Sequence, residues 1–218
     1  MNMASIVATA TALPSYYYSQ QVLGAALRKY CAAMRLAIEL DDITSIFANA
    51  GINSRYFAFS IDSLYDPPNT IESLNASIDL TLNLSETVVR SLLEKVKLDP
   101  CEISQLTLAS LTPAAAPSLD ARLMNRIAFS PYLKRMPLVG FGCMGGAAAL
   151  ARAADYLLGH PKEAALVVCA EVPSHMWQGS IQADLVDLAH RLPQDPSLYS
   201  DILSTIVTAS LFADAAGA

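Results

Sequence analysis

The stretch PLVGFGCMGGAAALARAADYLLGHPKEAALVVCAE, residues 137–171, constrains the fold more than any other part of the chain. A short apolar run over 137–141 reads as a strand and ends among glycines. An alanine-rich segment over 144–158 has helical composition and is stopped by Gly159-His160-Pro161. Residues 164–170 are then wholly apolar, as expected of a central strand covered on both faces. Strand, helix and strand in this order form a βαβ-like unit, which points to an α/β fold.

The rest of the chain keeps the alternation. Residues 5–13 read as a first strand, broken by Pro14 and Ser15. Ser19 is placed to cap a helix over 20–34, with Val22, Leu23, Ala26, Leu27 and Tyr30 on one face. A short helix over 42–49 has Gly51 as its stop, and 52–59 is β-like with Arg55 between aliphatic and aromatic positions. Residues 63–70 form a loop marked by Asp66-Pro67-Pro68. A long helix covers 74–95, and Asp99-Pro100-Cys101-Glu102 carries the signature of a capped helix start. A strand over 106–110, an irregular loop over 113–117 and a helix over 119–129, with Leu123 and Ile127 inward, lead into the βαβ-like unit. After it come a helix over 184–191 and a β-like stretch over 205–212. The final ASLFADAAGA reads as an interrupted chain, and a strand there is expected to leave an unpaired sheet edge.

Hydrophobic residues make up 53% of the chain and charged residues 16%, so surface beyond one core is expected to be buried, against a sheet or a partner. The net charge is -6 with no basic cluster, which argues against nucleic acid or an acidic membrane surface as partner. No segment reads as a membrane span, because the alanine-rich one carries Arg152 and Asp155. The first residues lack a charged n-region and stop at Pro14. Four cysteines, Cys31, Cys101, Cys143 and Cys169, are widely spaced with no C-x-x-C pair, which argues against a metal site. Reduced thiols and a cytoplasmic location are expected.

Among the cysteines, Cys143 is the candidate nucleophile. It follows Gly140-Phe141-Gly142 at a sharp turn and begins a strong helix, where unpaired N–H groups and the positive dipole end favour a thiolate. Gly145 and Gly146 leave room above the sulfur, and their N–H groups are candidates to hold an oxyanion. Cys169 lies inside a central strand, Cys101 at a capped turn and Cys31 in the first helix, so each has an ordinary structural reading. His160 is a whole helix away from Cys143, and neither His175 nor His190 has a neighbourhood that marks a catalytic base.

The segments ATALP, GINSRYFAF, PSLDARLMNRI, GFGCMGGAAALARAADYLLGHP, ALVVCAEVPS and SLFADAAGA together resemble the type III polyketide synthases, the chalcone synthase-like family of thiolase-fold condensing enzymes. The resemblance runs over essentially the whole chain. It implies a thiolase-like α/β fold, of which residues 1–218 are the N-terminal half of a layered αβαβα architecture. It implies that Cys143 accepts an acyl group from coenzyme A and that Phe212 is an aromatic gatekeeper between coenzyme A tunnel and reaction cavity. Thr112 and Ala116 match cavity-shaping positions, the latter near a dimer interface, and Arg55 matches a basic residue at the coenzyme A entrance. The family's catalytic histidine and asparagine have no match in this sequence. Pro113, Pro173 and Ala215 depart from the family pattern and bear on cavity shape, not on the nucleophile.

The implied activity is loading of a starter acyl-CoA on Cys143 and extension by decarboxylative condensation with malonyl-CoA. Acyl-CoA and malonyl-CoA are then substrates, no cofactor is expected, and the implied assembly is a homodimer. Two other readings stay open: a ketoacyl synthase III-like priming enzyme, and a non-catalytic remnant of the family that dimerises.

Overall fold

The computed structural model describes residues 4–65, 70–113 and 115–218, so the Asp66-Pro67-Pro68 turn lies outside the described residues. In chain order the elements are β1 (Thr11–Ala12), β2 (Tyr16–Ser19), α1 (Gln20–Ala33), α2 (Leu40–Asn49), β3 (Ser54–Phe57), α3 (Thr70–Val96), β4 (Ile103–Ala109), α4 (Leu119–Met124), β5 (Lys134–Leu138), α5 (Gly145–Gly159), β6 (Ala164–Glu171), α6 (Ser180–Arg191), α7 (Tyr199–Leu211) and β7 (Ala215–Gly217). The chain forms two compact units: Met1–Leu13, Ala76–Val172 and Ala215–Ala218 make the first, and Pro14–Asn75 with Pro173–Asp214 the second.

The first unit is built on a five-stranded sheet in the order β1-β7-β6-β4-β5. Strands β5, β4 and β6 run parallel, so the β5–α5–β6 connection crosses over β4, as the sequence pattern requires. Leu106 and Leu108 of β4 lie in register with Leu166 and Val168 of β6, and this row is buried. The opposite face carries Ala109 and Cys169, over which α5 begins with Gly145 and Gly146. Ala149 and Ala153 continue the small buried stripe along that helix. Helix α4 is shorter than the 119–129 expected and ends at Met124, yet Leu123 and Ile127 are both buried as expected.

Two edges differ from the sequence reading. The first strand is reduced from 5–13 to Thr11–Ala12, with Ile6 69% and Val7 83% exposed. Its partner β7 has only three residues, and a ladder extends no further than the strand that answers it. β7 is not a bare edge: Cys169, Ala170 and Glu171 of β6 pair with it on one side and β1 on the other.

The second unit pairs a two-stranded antiparallel hairpin, β2 with β3, with α1, α2, α6 and α7. Ser19 caps α1 as expected, accepting from the Val22 N–H at 3.2 Å. Leu23, Leu27, Ile43, Phe47, Trp177, Leu185, Ile202 and Ile206 form one apolar core. Val22 faces solvent, and the face of α1 that turns inward is Leu23, Gly24, Leu27 and Cys31. Strand β2 falls where the sequence shows only a break and a cap. Of residues 205–212, read as β, 205–211 belong to the helix α7, and only Phe212 after it is extended. Thr205, Ile206, Val207 and Thr208 favour strands by propensity, but Ile202, Ile206 and Ala209 share a buried helical face, and tertiary burial overrides the local preference.

This placement is testable by denaturant unfolding of the purified protein. Ile206→Ala is expected to cost about 2–5 kcal/mol as a buried aliphatic truncation. Val207→Ala, on the solvent side of α7, is expected to change stability by no more than about 0.5 kcal/mol. Equal losses at both positions would contradict the helical face.

Candidate active site

The turn between β5 and α5 is made by glycines in the left-handed region, Gly140 at φ 85° and Gly142 at φ 53°. An added Cβ at either would meet no atom within 4 Å, so the requirement is conformational and not one of space. A short 3-10 turn, Gly142–Met144, then carries Cys143 directly into α5. The turn uses some of the N–H groups expected to be open: Gly145 N–H donates to Gly142 O, so it is not a free oxyanion donor. Gly145 and Gly146 serve close packing instead. A Cβ on Gly145 would stand 3.4 Å from Ala109 Cβ, and one on Gly146 would stand 3.6 Å from Cys169 Sγ.

Cys143 is exposed and lines a cavity of about 170 Å³. Its floor is one row of the parallel sheet: Leu138, Ala109 and Cys169 are side by side in register, and all three line the cavity. Glu171, two residues past Cys169, lines it as well. The Glu171 carboxylate accepts from Leu111 N–H at 2.7 Å, from Thr112 N–H at 2.8 Å and from the Thr112 hydroxyl. Thr112 is thus tied to the cavity wall through Glu171. Ala116 lies in the exposed loop ahead of α4, its carbonyl accepting from Arg122 Nη2 at 3.2 Å. Cys169 and Glu171 were not singled out from the sequence as site residues. The signal that finds them is spacing, since positions two apart on β6 share a face.

Arg55 and Phe212 belong to the second unit. Arg55 is 2% exposed, so it does not stand at an open entrance as the resemblance implies. Its guanidinium lies 5.6, 5.3 and 5.5 Å from the ring centroids of Phe47, Phe57 and Trp177, a cation among aromatic rings. Nε donates to Gln20 Oε1 at 3.0 Å, and Nη1 donates to Ala209 O at 2.8 Å and Phe212 O at 2.7 Å. Burial pulls its pKa down to about 10, which leaves it a cation at neutral pH. Phe212, the residue that follows α7, is 46% exposed. Asp214 is buried, accepts from Ala58 N–H at 2.5 Å and Ser174 N–H at 2.9 Å, and has its pKa raised by that burial.

No histidine lines the Cys143 cavity among the described residues. His160 caps the far end of α5, stacked on Tyr156 at 4.2 Å between ring centroids. A helix of this length separates its ends by roughly 20 Å. Among the described residues no cluster of His, Cys, Asp or Glu is arranged to hold a metal ion, and no helix is long and apolar enough to cross a membrane.

Comparison with known proteins agrees with this architecture. The family described as FAE1/Type III polyketide synthase-like protein matches residues 27–188. The chain is 34% identical over 170 residues to the 1,3,6,8-tetrahydroxynaphthalene synthase of Streptomyces peucetius subsp. caesius, which covers 78% of this chain and 45% of the relative. It is 26% identical over 173 residues to the phloroglucinol synthase of Pseudomonas fluorescens, covering 79% of this chain and 44% of that one. In fold it is similar to a fungal type III polyketide synthase, ORAS, with a TM-score of 0.78 at 24% identity, covering 100% of this chain and 54% of that chain. The 1,3,6,8-tetrahydroxynaphthalene synthase of Streptomyces coelicolor A3(2) gives a TM-score of 0.76 at 20% identity, covering 96% and 54%. The chain belongs to the FAE1/type III polyketide synthase-like family, and it spans about half the length of the curated relatives it matches.

The four thiols differ in a way that alkylation can read. Burial pushes Cys31 up to about 11, and burial followed by the Glu171 charge raises Cys169. Cys101 is exposed, but its hydrogen bond to Asp99 raises it too. A raised thiol pKa means less thiolate at neutral pH, with labelling that grows as pH rises. Brief iodoacetamide treatment at pH 7.5 is expected to label Cys143 first. Cys101 should catch up by pH 9.5, and Cys31 should stay protected, as read by peptide mass spectrometry. Labelling of Cys101 or Cys31 ahead of Cys143 would contradict this order.

Proposed function

We propose that this chain supplies the nucleophilic half of a type III polyketide synthase, with Cys143 as the acyl acceptor. The observation that carries the reading is the exposed Cys143 at the head of α5, above the Leu138–Ala109–Cys169 row of a small cavity. In the loading step the Cys143 sulfur attacks the carbonyl carbon of a starter acyl-CoA. The bond to the coenzyme A sulfur breaks, and coenzyme A leaves as the thiol with the proton that Cys143 gave up. In the extension step malonyl-CoA loses carbon dioxide, and the electron pair left on its methylene carbon attacks the Cys143 thioester. This yields a β-ketoacyl-CoA and frees the cysteine. Thr112 and Ala116 take the cavity-shaping positions, and Phe212 takes the gatekeeper's. On the resemblance, condensation also needs a histidine and an asparagine that no residue of these 218 matches, so loading and condensation separate here.

A cytoplasmic homodimer is part of this reading. Strand β5 is the outer strand of its sheet, and Tyr132 just before it and Val139, Phe141 and Met144 after it are exposed large apolar side chains. Such a row beside a strand edge suits an isologous contact between two copies.

Incubation with a panel of saturated acyl-CoA thioesters, followed by intact mass measurement, is expected to show a single acyl adduct that Cys143→Ala abolishes. Residues 1–218 alone should release no carbon dioxide from malonyl-CoA. Cys143-dependent release by this chain would show that one of its own histidines serves the site. Light scattering at micromolar concentration should give twice the protomer mass for the protein as its gene encodes it. A clean monomer would remove the dimer from the proposal.

A further inference from the structure

We propose that Arg55 and Gln20 form a buried side-chain cap on the C-terminus of α7 that positions Phe212, so that Arg55 is a positioning residue and not a coenzyme A ligand. The inference rests on the gatekeeper role given to Phe212 above.

The last carbonyls of a helix have no partners within it, and chains commonly finish with a left-handed glycine that turns backbone N–H groups onto them. Helix α7 ends differently. The residue that follows it, Phe212, is extended at φ -80° and ψ 146°. Side chains do the capping: Gln20 Nε2 donates to Ser210 O at 2.8 Å, while Arg55 Nη1 takes both Ala209 O and Phe212 O. Gln20 Oε1 in turn accepts from Arg55 Nε, so the two caps orient each other. A cation suits the negative end of a helix dipole. Burying one is nonetheless a costlier way to finish a helix than a glycine. What the guanidinium adds is direction, because the carbonyl of Phe212 itself is one of its acceptors.

Two residues further on, the chain is fixed again. Asp214 N–H donates to Tyr56 O at 3.0 Å, and its buried carboxylate takes Ala58 N–H, Ser174 N–H and the Ser174 hydroxyl. Phe212 therefore sits on a bridge of backbone anchored at both ends, and the residue is exposed. An exposed aromatic on a backbone so tightly held is placed for contact with something outside the fold. In this family reading that contact is the acyl thioester. The rings of Phe47, Phe57 and Trp177 stand around the same guanidinium.

The test is a double-mutant cycle on acylation of Cys143, in the protein as its gene encodes it. The readouts are the half-saturating acyl-CoA concentration and the limiting rate, after a thermal melt shows that each variant is folded. Phe212→Ala and Arg55→Met are each expected to raise the half-saturating concentration about tenfold, with a much smaller change in limiting rate, because binding and not the reacting atoms is disturbed. Arg55→Lys, which keeps the cation but loses the fork, should fall between. In the Phe212→Ala background, Arg55→Met should add nothing further. If Arg55→Met does not fold, Gln20→Met takes its place, with a smaller shift in the same direction and the same loss of effect without Phe212. A folded Arg55 or Gln20 variant with no shift, or one whose shift adds fully to that of Phe212→Ala, overturns the positioning role alone. A silent Phe212→Ala overturns the gatekeeper reading and this proposal with it.

Discussion

The parallel register of β5, β4 and β6 is the constraint on which the site depends. It brings Leu138, Ala109 and Cys169 level with one another at the carboxyl ends of their strands. In parallel sheets with crossover helices the chain must turn at those ends, and that is where crevices form. Here the turn after Leu138 has two left-handed glycines, and it delivers Cys143 to the head of α5 within five residues of the strand. Slipping β5 by one residue would reverse the face of every side chain on it and move the cavity floor. The close approach of Gly145 to Ala109 and of Gly146 to Cys169 then sets how deeply α5 seats on the sheet.

The second unit shows a different logic, in which buried charge fixes irregular backbone. Arg55 and Asp214 both lie inside the unit; Arg55 Nη1 holds two main-chain carbonyls, while its Nη2 is buried without a hydrogen-bond partner, and Asp214 takes two main-chain N–H groups. Helices and strands satisfy their own backbone, but the segment leaving α7 and the one entering after β3 have no ladder of their own. The two charged side chains supply those bonds at long range in sequence. The cost of burying them is offset by the carbonyls and N–H groups that would otherwise be buried without partners.

Much of the first unit was legible in the sequence because its signals are local. The switch from a strand run to glycines to an alanine-rich helix needs no knowledge of distant residues, and β5, α5 and β6 fall within a few residues of the places read for them. Residues 205–212 misled because four β-branched side chains in a row dominate a short window, while the helical stripe begins earlier, at Ile202. The site was legible to the extent of Cys143's place at a strand-to-helix turn. Glu171's hold on Thr112 joins residues 59 apart, and Arg55's hold on Phe212 joins residues 157 apart. No periodicity or motif encodes such pairs. Arg55 in particular sits in a β-like stretch whose neighbours give no hint that a cation would be buried there.

The position of β7 has a consequence for the order in which the protein comes into being. The sheet of the first unit receives its fourth and fifth partners from widely separated parts of the sequence, β1 near residue 11 and β7 near residue 216. A ribosome releases β4, β5 and β6 long before β7, and all of α6 and α7 must emerge in between. Throughout that interval the outer edge of β6 carries open N–H and C=O groups beside an apolar row. The nascent chain therefore passes through a stage in which its central strand is a ready template for mispairing, and β1, already made, has nothing to pair with. Only once residues 215–217 have emerged can β1 be joined through β7 to the edge of β6.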